Sequence, residues 1–140
     1  MTATTEPSLS KEQLQALSEF RYTLRRFLRF SEDAARDAGI TVLQYQLLLH
    51  IAGYPGREWA TIGELAELLQ AKPNGVVALV SRCEQAGLVQ RKPGRQDRRQ
   101  VEVHMLAKGR KCLTKLAVQH QVQLAQLAEA VAVASSDAPT

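Results

Sequence analysis

The chain has 140 residues, of which 45% are hydrophobic and 23% charged, with a net charge of +4; these values are typical of one soluble globular domain. It shows no apolar run of the roughly 18 residues that span a membrane and no secretory segment after Met1, so we expect a cytoplasmic protein with no membrane partner. Two cysteines, Cys83 and Cys112, are too few for a disulfide scaffold and indicate a reducing compartment.

The first two predicted elements are helices, over residues 10–38 and from Thr41 to about Ala52. In the first helix, leucine and phenylalanine recur at three- and four-residue steps, which predicts one apolar side. A hydroxyl residue followed three residues later by Glu or Gln marks a helix start, because each side chain caps the other residue's backbone N–H group. This capping-box spacing occurs three times, at Ser10 and Gln13, Thr41 and Gln44, and Thr61 and Glu64.

Two shorter helices follow, separated by a tight turn. One begins at Thr61 and has about ten residues; the next begins at Pro73, which has no N–H group to leave unpaired in a first turn, and ends at Gly87. The apolar face of this second helix is predicted to pack inward and consists of Val76, Leu79, Val80 and Cys83. Its opposite face carries small and polar residues, namely Asn74, Gly75, Ala78, Ser81, Arg82 and Gln85.

After Gly87 the hydrophobic period changes from that of a helix to that of strands. Residues 88–92 and 101–105 predict a β-hairpin whose strands are joined by a basic turn-forming loop, residues 93–99. From Lys72 to Lys111 there are ten basic and three acidic residues, a net charge of +7, while the rest of the chain sums to −3. This asymmetry predicts a polyanionic partner, with nucleic acid the leading candidate.

Together these elements predict a mainly α-helical fold with a small β-hairpin wing, because two short helices followed by a basic hairpin make a winged helix-turn-helix. The DNA-binding domain is predicted over residues 41–106. Helices over 10–38 and 108–134 flank it, and their long apolar sides cannot be buried on one small core, which predicts a homodimer. Residues 1–9 and 135–140 are predicted to be disordered tails.

The helix from Pro73 is narrow enough to enter the DNA major groove, and the hairpin can reach the neighbouring backbone. Arg82 is suited to guanine or a phosphate and Asn74 to adenine, whereas Gly75 and Ala78 allow a close approach. Lys72 and the loop arginines are suited to phosphates. The predicted contacts with double-stranded DNA are Lys72, Asn74, Gly75, Ala78, Ser81, Arg82, Arg95, Arg98 and Arg99.

Four stretches, in order and covering about residues 10–130, resemble the MarR family of bacterial transcription regulators. They are Thr41-Val42-Leu43-Gln44-Tyr45 with Leu48-Leu49, Glu64-Leu65-Ala66-Glu67, Glu84-Gln85-Ala86-Gly87-Leu88-Val89-Gln90-Arg91, and Asp97-Arg98-Arg99 with Leu106-Ala107-Lys108-Gly109. The resemblance implies a homodimer on a pseudo-palindromic operator, and many relatives are repressors that a small aromatic or anionic molecule releases from DNA. It also implies that Asp97 braces the wing and that Arg99 contacts DNA.

In such relatives the ligand pocket lies where the dimer helices meet the DNA-binding domain, and we expect Arg25, Tyr45 and His50 to be nearest it. The chain departs from the family at Lys72-Pro73-Asn74-Gly75, where relatives carry several base-reading side chains. It also has Ala107 where the family usually has Thr, which predicts a missing N-cap on the last helix, at a typical cost of about 1 kcal/mol.

Two other functions stay open: a ligand-independent architectural DNA-binding protein, and a winged-helix module that binds proteins. We expect no catalysis and no cofactor, because the sequence has no nucleophile elbow, phosphate-cradling glycine loop or paired His and carboxylate constellation. The histidines and cysteines lack metal-ligand spacing. Cys83 is expected to be a small buried hydrophobe rather than a redox switch, and His120 a satisfied interface residue rather than a pH sensor.

Overall fold

The computed structural model describes residues 6–136, and within them the chain forms five helices and three short strands. The helices are α1 (Lys11–Asp37), α2 (Val42–Ala52), α3 (Ile62–Leu69), α4 (Pro73–Gln85) and α5 (Ala107–Ser136); the strands are β1 (Trp59–Thr61), β2 (Val89–Pro93) and β3 (Val101–Met105). Of the predicted tails, residues 1–5 and 137–140 lie outside the described residues, while 135 and 136 belong to α5. No helix in the described range is long and apolar enough for a membrane span.

All three predicted capping boxes are formed. At α2 the Thr41 N–H donates to Gln44 Oε1 at 2.8 Å and the Gln44 N–H donates to Thr41 Oγ1 at 3.1 Å. The same reciprocal bonds join Ser10 with Gln13 and Thr61 with Glu64. Each box satisfies two backbone donors that a helix start would otherwise leave unpaired, which is why sequence spacing located these starts.

The sheet has three antiparallel strands in the order β1-β3-β2, not the two of the predicted hairpin. The strand that was not predicted is β1. It has only three residues and pairs with the free edge of β3, with Ala60 opposite Val103. Three residues are too few to display an alternating pattern, so the sequence gives no periodic signal for this strand. The addition of β1 ties the chain just before α3 to the wing.

The described residues divide into two compact units, and the second, Glu32–Gln119, contains the main hydrophobic core. Fully buried side chains from α2, α3, α4, the sheet and the start of α5 meet there; the largest are Leu47, Leu48, Ile51, Leu65, Leu88 and Leu116. The inward face predicted for α4 is confirmed, since its four apolar residues are all buried. Each such large side chain contributes about 1.5–3 kcal/mol on burial, which holds α4 with its other face outward.

The first unit comprises the described residues up to Ser31 together with those from His120 onward, and it buries few side chains. His120 is one of them: its Nε2 lies 2.8 Å from Ser31 Oγ, and its ring makes T-shaped contacts with those of Phe27 and Phe30 at centroid distances of 5.9 and 5.3 Å. Large apolar residues of this unit remain exposed, including Leu14, Leu17, Leu28, Val122, Leu124, Val131 and Val133.

The predicted position of the missing N-cap on the last helix was wrong by one residue. α5 begins at Ala107, so Leu106 precedes the first turn, and its carbonyl accepts the Arg110 N–H at 3.0 Å. Leucine has no side-chain acceptor for the first-turn amides. The start of α5 is held instead by Lys108, whose Nζ donates to the Ala86 carbonyl at 2.9 Å, and by close packing of Gly109 on Leu88.

Candidate nucleic-acid interface

The outer face of α4 is open, as the sequence predicts. Asn74, Gly75, Ala78 and Arg82 are exposed, and Lys72 precedes the helix on the same exposed stretch. No described side chain caps the helix start, and a methyl group built on Gly75 would have nothing within 4 Å. Helix N-termini with free amides are suited to phosphate oxygens, and a small first turn lets the backbone approach a groove closely.

Ser81 is an exception among the residues predicted for this face. Its hydroxyl donates to the Val77 carbonyl at 3.0 Å and accepts from Arg91 Nη2 at 2.8 Å. Arg91 also holds Glu84, since its backbone N–H donates to one carboxylate oxygen at 3.0 Å and its guanidinium to the other at 3.2 and 3.3 Å. These bonds, led by the one from the backbone N–H, lower the pKa of Glu84. The Ser81 hydroxyl therefore belongs to the α4–β2 junction and not to the open face.

The wing loop between β2 and β3 carries Arg95, Arg98 and Arg99, all exposed. Asp97 accepts from the Arg99 backbone N–H at 3.0 Å and from its Nε and Nη2 at 3.1 and 3.3 Å. The Arg99 side chain, and then its amide, lower the pKa of Asp97. Loop bracing by Asp97, which the resemblance implies, stays a prediction that fits these bonds; they leave the Arg99 side chain 91% exposed.

Glu102 is the main residue near the wing that the sequence did not reveal. Strand alternation places it on the polar side of β3, yet it is only 3% exposed. Its Oε2 accepts the Arg95 N–H at 3.1 Å, and its Oε1 lies 2.9 Å from His104 Nε2. The His104 bond is the largest cause of the lowered pKa of Glu102. The one available signal was an acidic residue inside a strongly basic stretch.

A second cluster lies beside this strand, in the loop between α2 and β1. The Arg57 guanidinium lies between two rings, with Cζ 4.1 Å from the Tyr54 centroid and 3.9 Å from that of Trp59, in cation–π geometry. Both Arg57 and the Tyr54 hydroxyl donate to the carboxylate of Glu64, in the first turn of α3. The Trp59 ring stacks on His104 with 5.9 Å between centroids and 24° between planes.

The acid stability of the protein is expected to depend on Glu64. Burial raises the pKa of its carboxyl, but bonds from Tyr54, Thr61 and Arg57 outweigh that effect and lower the pKa from 4.5 to about 2. Because the folded-state pKa is depressed, this stabilisation is complete above pH 4.5 and is lost as the pH falls towards 2. A shift of that size is worth about 3 kcal/mol in a fully buried site, and exposure of 29% of the side chain reduces our expectation to about 2 kcal/mol.

Urea unfolding of Glu64→Gln and wild type from pH 7 to pH 2 measures this contribution. The variant should be less stable at pH 7, and the difference should close towards pH 2. Glu67→Gln, an exposed position on the same helix, serves as the control and should leave the pH profile unchanged. A gap between wild type and Glu64→Gln that stays constant with pH would contradict the assignment.

Comparison with known proteins finds a family model and solved structures that match. Residues 38–100 match the MarR family model, which covers α2, the helix-turn-helix and most of the wing. The matched region holds the winged helix-turn-helix, so the chain is similar to the MarR family over these residues. No curated protein matches the chain by sequence.

Solved MarR-family structures are similar in fold to this chain over most of its length. AbsC, a transcriptional regulator from Streptomyces coelicolor, aligns with a TM-score of 0.71 at 20% identity, over 87% of this chain and 82% of its own. Sco3205 from the same organism, solved in complex with DNA, aligns with a TM-score of 0.69 at 23% identity, over 87% of this chain and 77% of its own. A MarR family protein from Bacillus stearothermophilus aligns with a TM-score of 0.71 at 21% identity, over 86% of this chain and 82% of its own. At these identities the likeness establishes the fold.

The three residues expected nearest the MarR-type ligand pocket lie in different surroundings. Tyr45 is part of the core of the second unit at 5% exposure, and burial raises its pKa. His50, on the same helix, is half-buried, and burial lowers its pKa. Arg25 lies on the exposed surface of α1, in the first unit. Their predicted role in ligand binding remains a prediction.

Cys83 lies fully buried on the inward face of α4, and Cys112 is half-buried in α5. Burial raises the pKa of the Cys83 thiol to about 11, against a smaller opposite effect of Arg82. Because the thiolate is the reactive form, Cys83 is expected to resist alkylation. Iodoacetamide at pH 8, read by mass spectrometry of intact and denatured protein, should label Cys83 only after unfolding. Labelling of native Cys83 at the unfolded rate would contradict this and reopen a redox role.

Proposed function

We propose that this chain is a sequence-specific DNA-binding transcriptional regulator of the MarR type. The observation that carries the proposal is the pairing, in one compact unit, of an open α4 face with a wing bearing three exposed arginines. An open helix face of this kind is suited to base edges in the major groove, and the wing arginines to phosphates. Sco3205, which shares the fold, was solved in complex with DNA, and this supports DNA binding as the function. Such a regulator would act in the bacterial cytoplasm.

The proposal includes a homodimer formed through the ends of α1 and α5. The first unit exposes many large apolar side chains, including Val122 at 70%, and buries few of its own. Many exposed large apolar side chains on one unit favour a protein partner, and a second copy satisfies them with two-fold symmetry. A dimer of this type spaces its recognition helices about 34–36 Å apart, which calls for a pseudo-palindromic operator with half-sites one turn apart.

The final part of the proposal is repression that a small aromatic or anionic molecule relieves, and it rests on the family resemblance. Such a molecule must bind the DNA-incompetent arrangement of the dimer more tightly than the competent one, because equal affinity shifts no equilibrium. Arg25, Tyr45 and His50 are our candidates for contact with it.

Selection of bound duplexes from fragmented host DNA at about 150 mM salt tests this function, with light scattering of the free protein for the dimer. A shared pseudo-palindrome and a dimeric mass are expected. Fragments without a shared motif would favour the architectural alternative. Failure to bind any duplex even at low salt would contradict DNA binding and favour the protein-binding module.

Arg99→Ala is expected to weaken binding to every duplex alike and to flatten the dependence of log K on log salt by about one unit, since one phosphate contact is lost. Titrations between about 50 and 200 mM salt measure the slope. Arg36→Ala is the matched control, because Arg36 is an exposed arginine that also pairs with an aspartate, at 3.6 Å, but lies on α1. An unchanged slope in Arg99→Ala would remove the wing from the interface.

A further inference from the structure

Glu102 occupies a position where charge alone is unfavourable to the proposed function. It is a buried carboxylate at the base of a loop that carries three arginines, so its negative charge opposes phosphate binding. Burying a carboxylate also has a desolvation cost that only good hydrogen bonds offset. Because Glu102 both opposes phosphate binding and is costly to bury, we expect its role to be the positioning of neighbouring groups.

The contacts of Glu102 identify that position. One oxygen accepts the backbone N–H of Arg95, the second residue of the wing loop, and the other bonds the His104 ring. His104 stacks on Trp59, which in turn packs on Arg57, and Arg57 bonds Glu64 in α3. A continuous series of side-chain contacts therefore joins the wing loop to the first helix of the helix-turn-helix.

We propose that Glu102 is a positioning residue that holds the wing loop at the angle at which its arginines meet DNA phosphates. The other bonds of the loop are those of Asp97 with Arg99, the Gly94 N–H to the Gln100 carbonyl at 2.8 Å and the Gln100 N–H to the Asp97 carbonyl at 3.0 Å. The Gly94 bond continues the β2–β3 pairing at the ends of the loop, and the others lie within the loop, so none of them joins the loop to a side chain of the sheet. The Glu102 bond to Arg95 makes that connection and so helps to orient the loop, and the stack of His104 on Trp59 relates it to α3. This role rests on the proposed DNA-binding function.

Charge and position predict opposite effects for the same substitution. Glu102→Ala makes the wing more positive by one charge, so a purely electrostatic residue would bind DNA more tightly after its removal. A positioning residue predicts binding roughly tenfold weaker, with a salt slope flatter by about one to two units as wing contacts are lost. Glu102→Gln removes the charge but keeps an acceptor for the Arg95 N–H, and it should bind at least as tightly as wild type.

Glu58→Ala is the matched control, since Glu58 neighbours Trp59, is 80% exposed, and bonds Arg110 of α5 rather than the wing loop. It makes the same change of charge without touching the loop and should bind as tightly as wild type or more tightly. Affinity and salt slope are measured for all four proteins on one duplex. Equal or tighter binding by Glu102→Ala, or equal weakening by Glu102→Gln, would overturn the positioning role.

Hydrogen exchange of the Arg95 amide without DNA separates this inference from the proposed function. It should be fast in Glu102→Ala and slow in wild type and Glu102→Gln. Unchanged exchange in Glu102→Ala would overturn the brace itself, even in a protein that binds DNA. Slow exchange in a wild-type protein that binds no duplex would leave the brace intact and overturn the proposed function, and with it the role of the brace in DNA binding.

Discussion

Gly109→Ala is expected to destabilise the protein by about 3 kcal/mol, because the new methyl group would overlap a backbone carbonyl. A Cβ at this position would lie 2.2 Å from the Leu88 oxygen and 3.0 Å from its carbonyl carbon. Leu88 cannot move away freely, since its N–H donates to the Cys83 carbonyl at 2.9 Å and its oxygen accepts the Leu106 N–H at 3.0 Å. Relief of the clash would separate α5 from the end of α4 and break those bonds.

Urea unfolding at one fixed protein concentration measures the effect, since a dimer's stability depends on concentration. Gly63→Ala is the matched control: it is also a helical glycine in a first turn, and a Cβ there has nothing within 4 Å. Its stability should stay level or rise by up to about 1 kcal/mol from helix propensity. Similar urea midpoints for Gly109→Ala and Gly63→Ala would contradict the prediction, because they would show that the start of α5 accommodates the methyl group without loss of stability.

The sequence was sufficient to predict the features that local rules govern. Helix starts were found because reciprocal caps have a fixed three-residue spacing, as at Thr41, and the inward face of α4 because core contacts repeat at the helical period. Gly87 ends α4 as predicted, with a φ of 75° that glycine adopts without strain. Each of these signals lies within a few residues of what it predicts.

The features that were missed depend on contacts distant in sequence. Ser81 appears on the outer face by its helical position, but Arg91, ten residues later, takes its hydroxyl. Glu102 appears exposed by strand alternation, but β1 pairs with the edge of β3, with Thr61 opposite Glu102, and the wing loop supplies a donor from the Arg95 N–H. Local period shows which way a side chain points and not what packs over it.

Arg82→Ala is expected to reduce affinity for the operator by about 1–3 kcal/mol, a loss of roughly 5- to 150-fold, with a smaller effect on non-specific duplexes. Arg82 is exposed on the open face of α4, and its guanidinium has no carboxylate within ion-pair distance among residues 6–136. With Pro73 and Gly75 in the first turn, few other side chains of this helix can read bases. Competition binding of operator against random duplex at fixed salt measures both affinities.

Arg82→Lys distinguishes base reading from phosphate binding, because lysine keeps the charge but lacks the planar pair of donors that fits a guanine edge. If Arg82 reads a base, the lysine variant should keep non-specific affinity and lose most of the operator preference. If Arg82 binds a phosphate, lysine should restore both affinities, and Arg82→Ala should weaken both equally. The second pattern would contradict base reading by α4 at this position. The discrimination would then rest on Asn74, on Gln85 or on the shape of the DNA, since Gly75 and Ala78 offer no hydrogen-bonding side chain to a base edge.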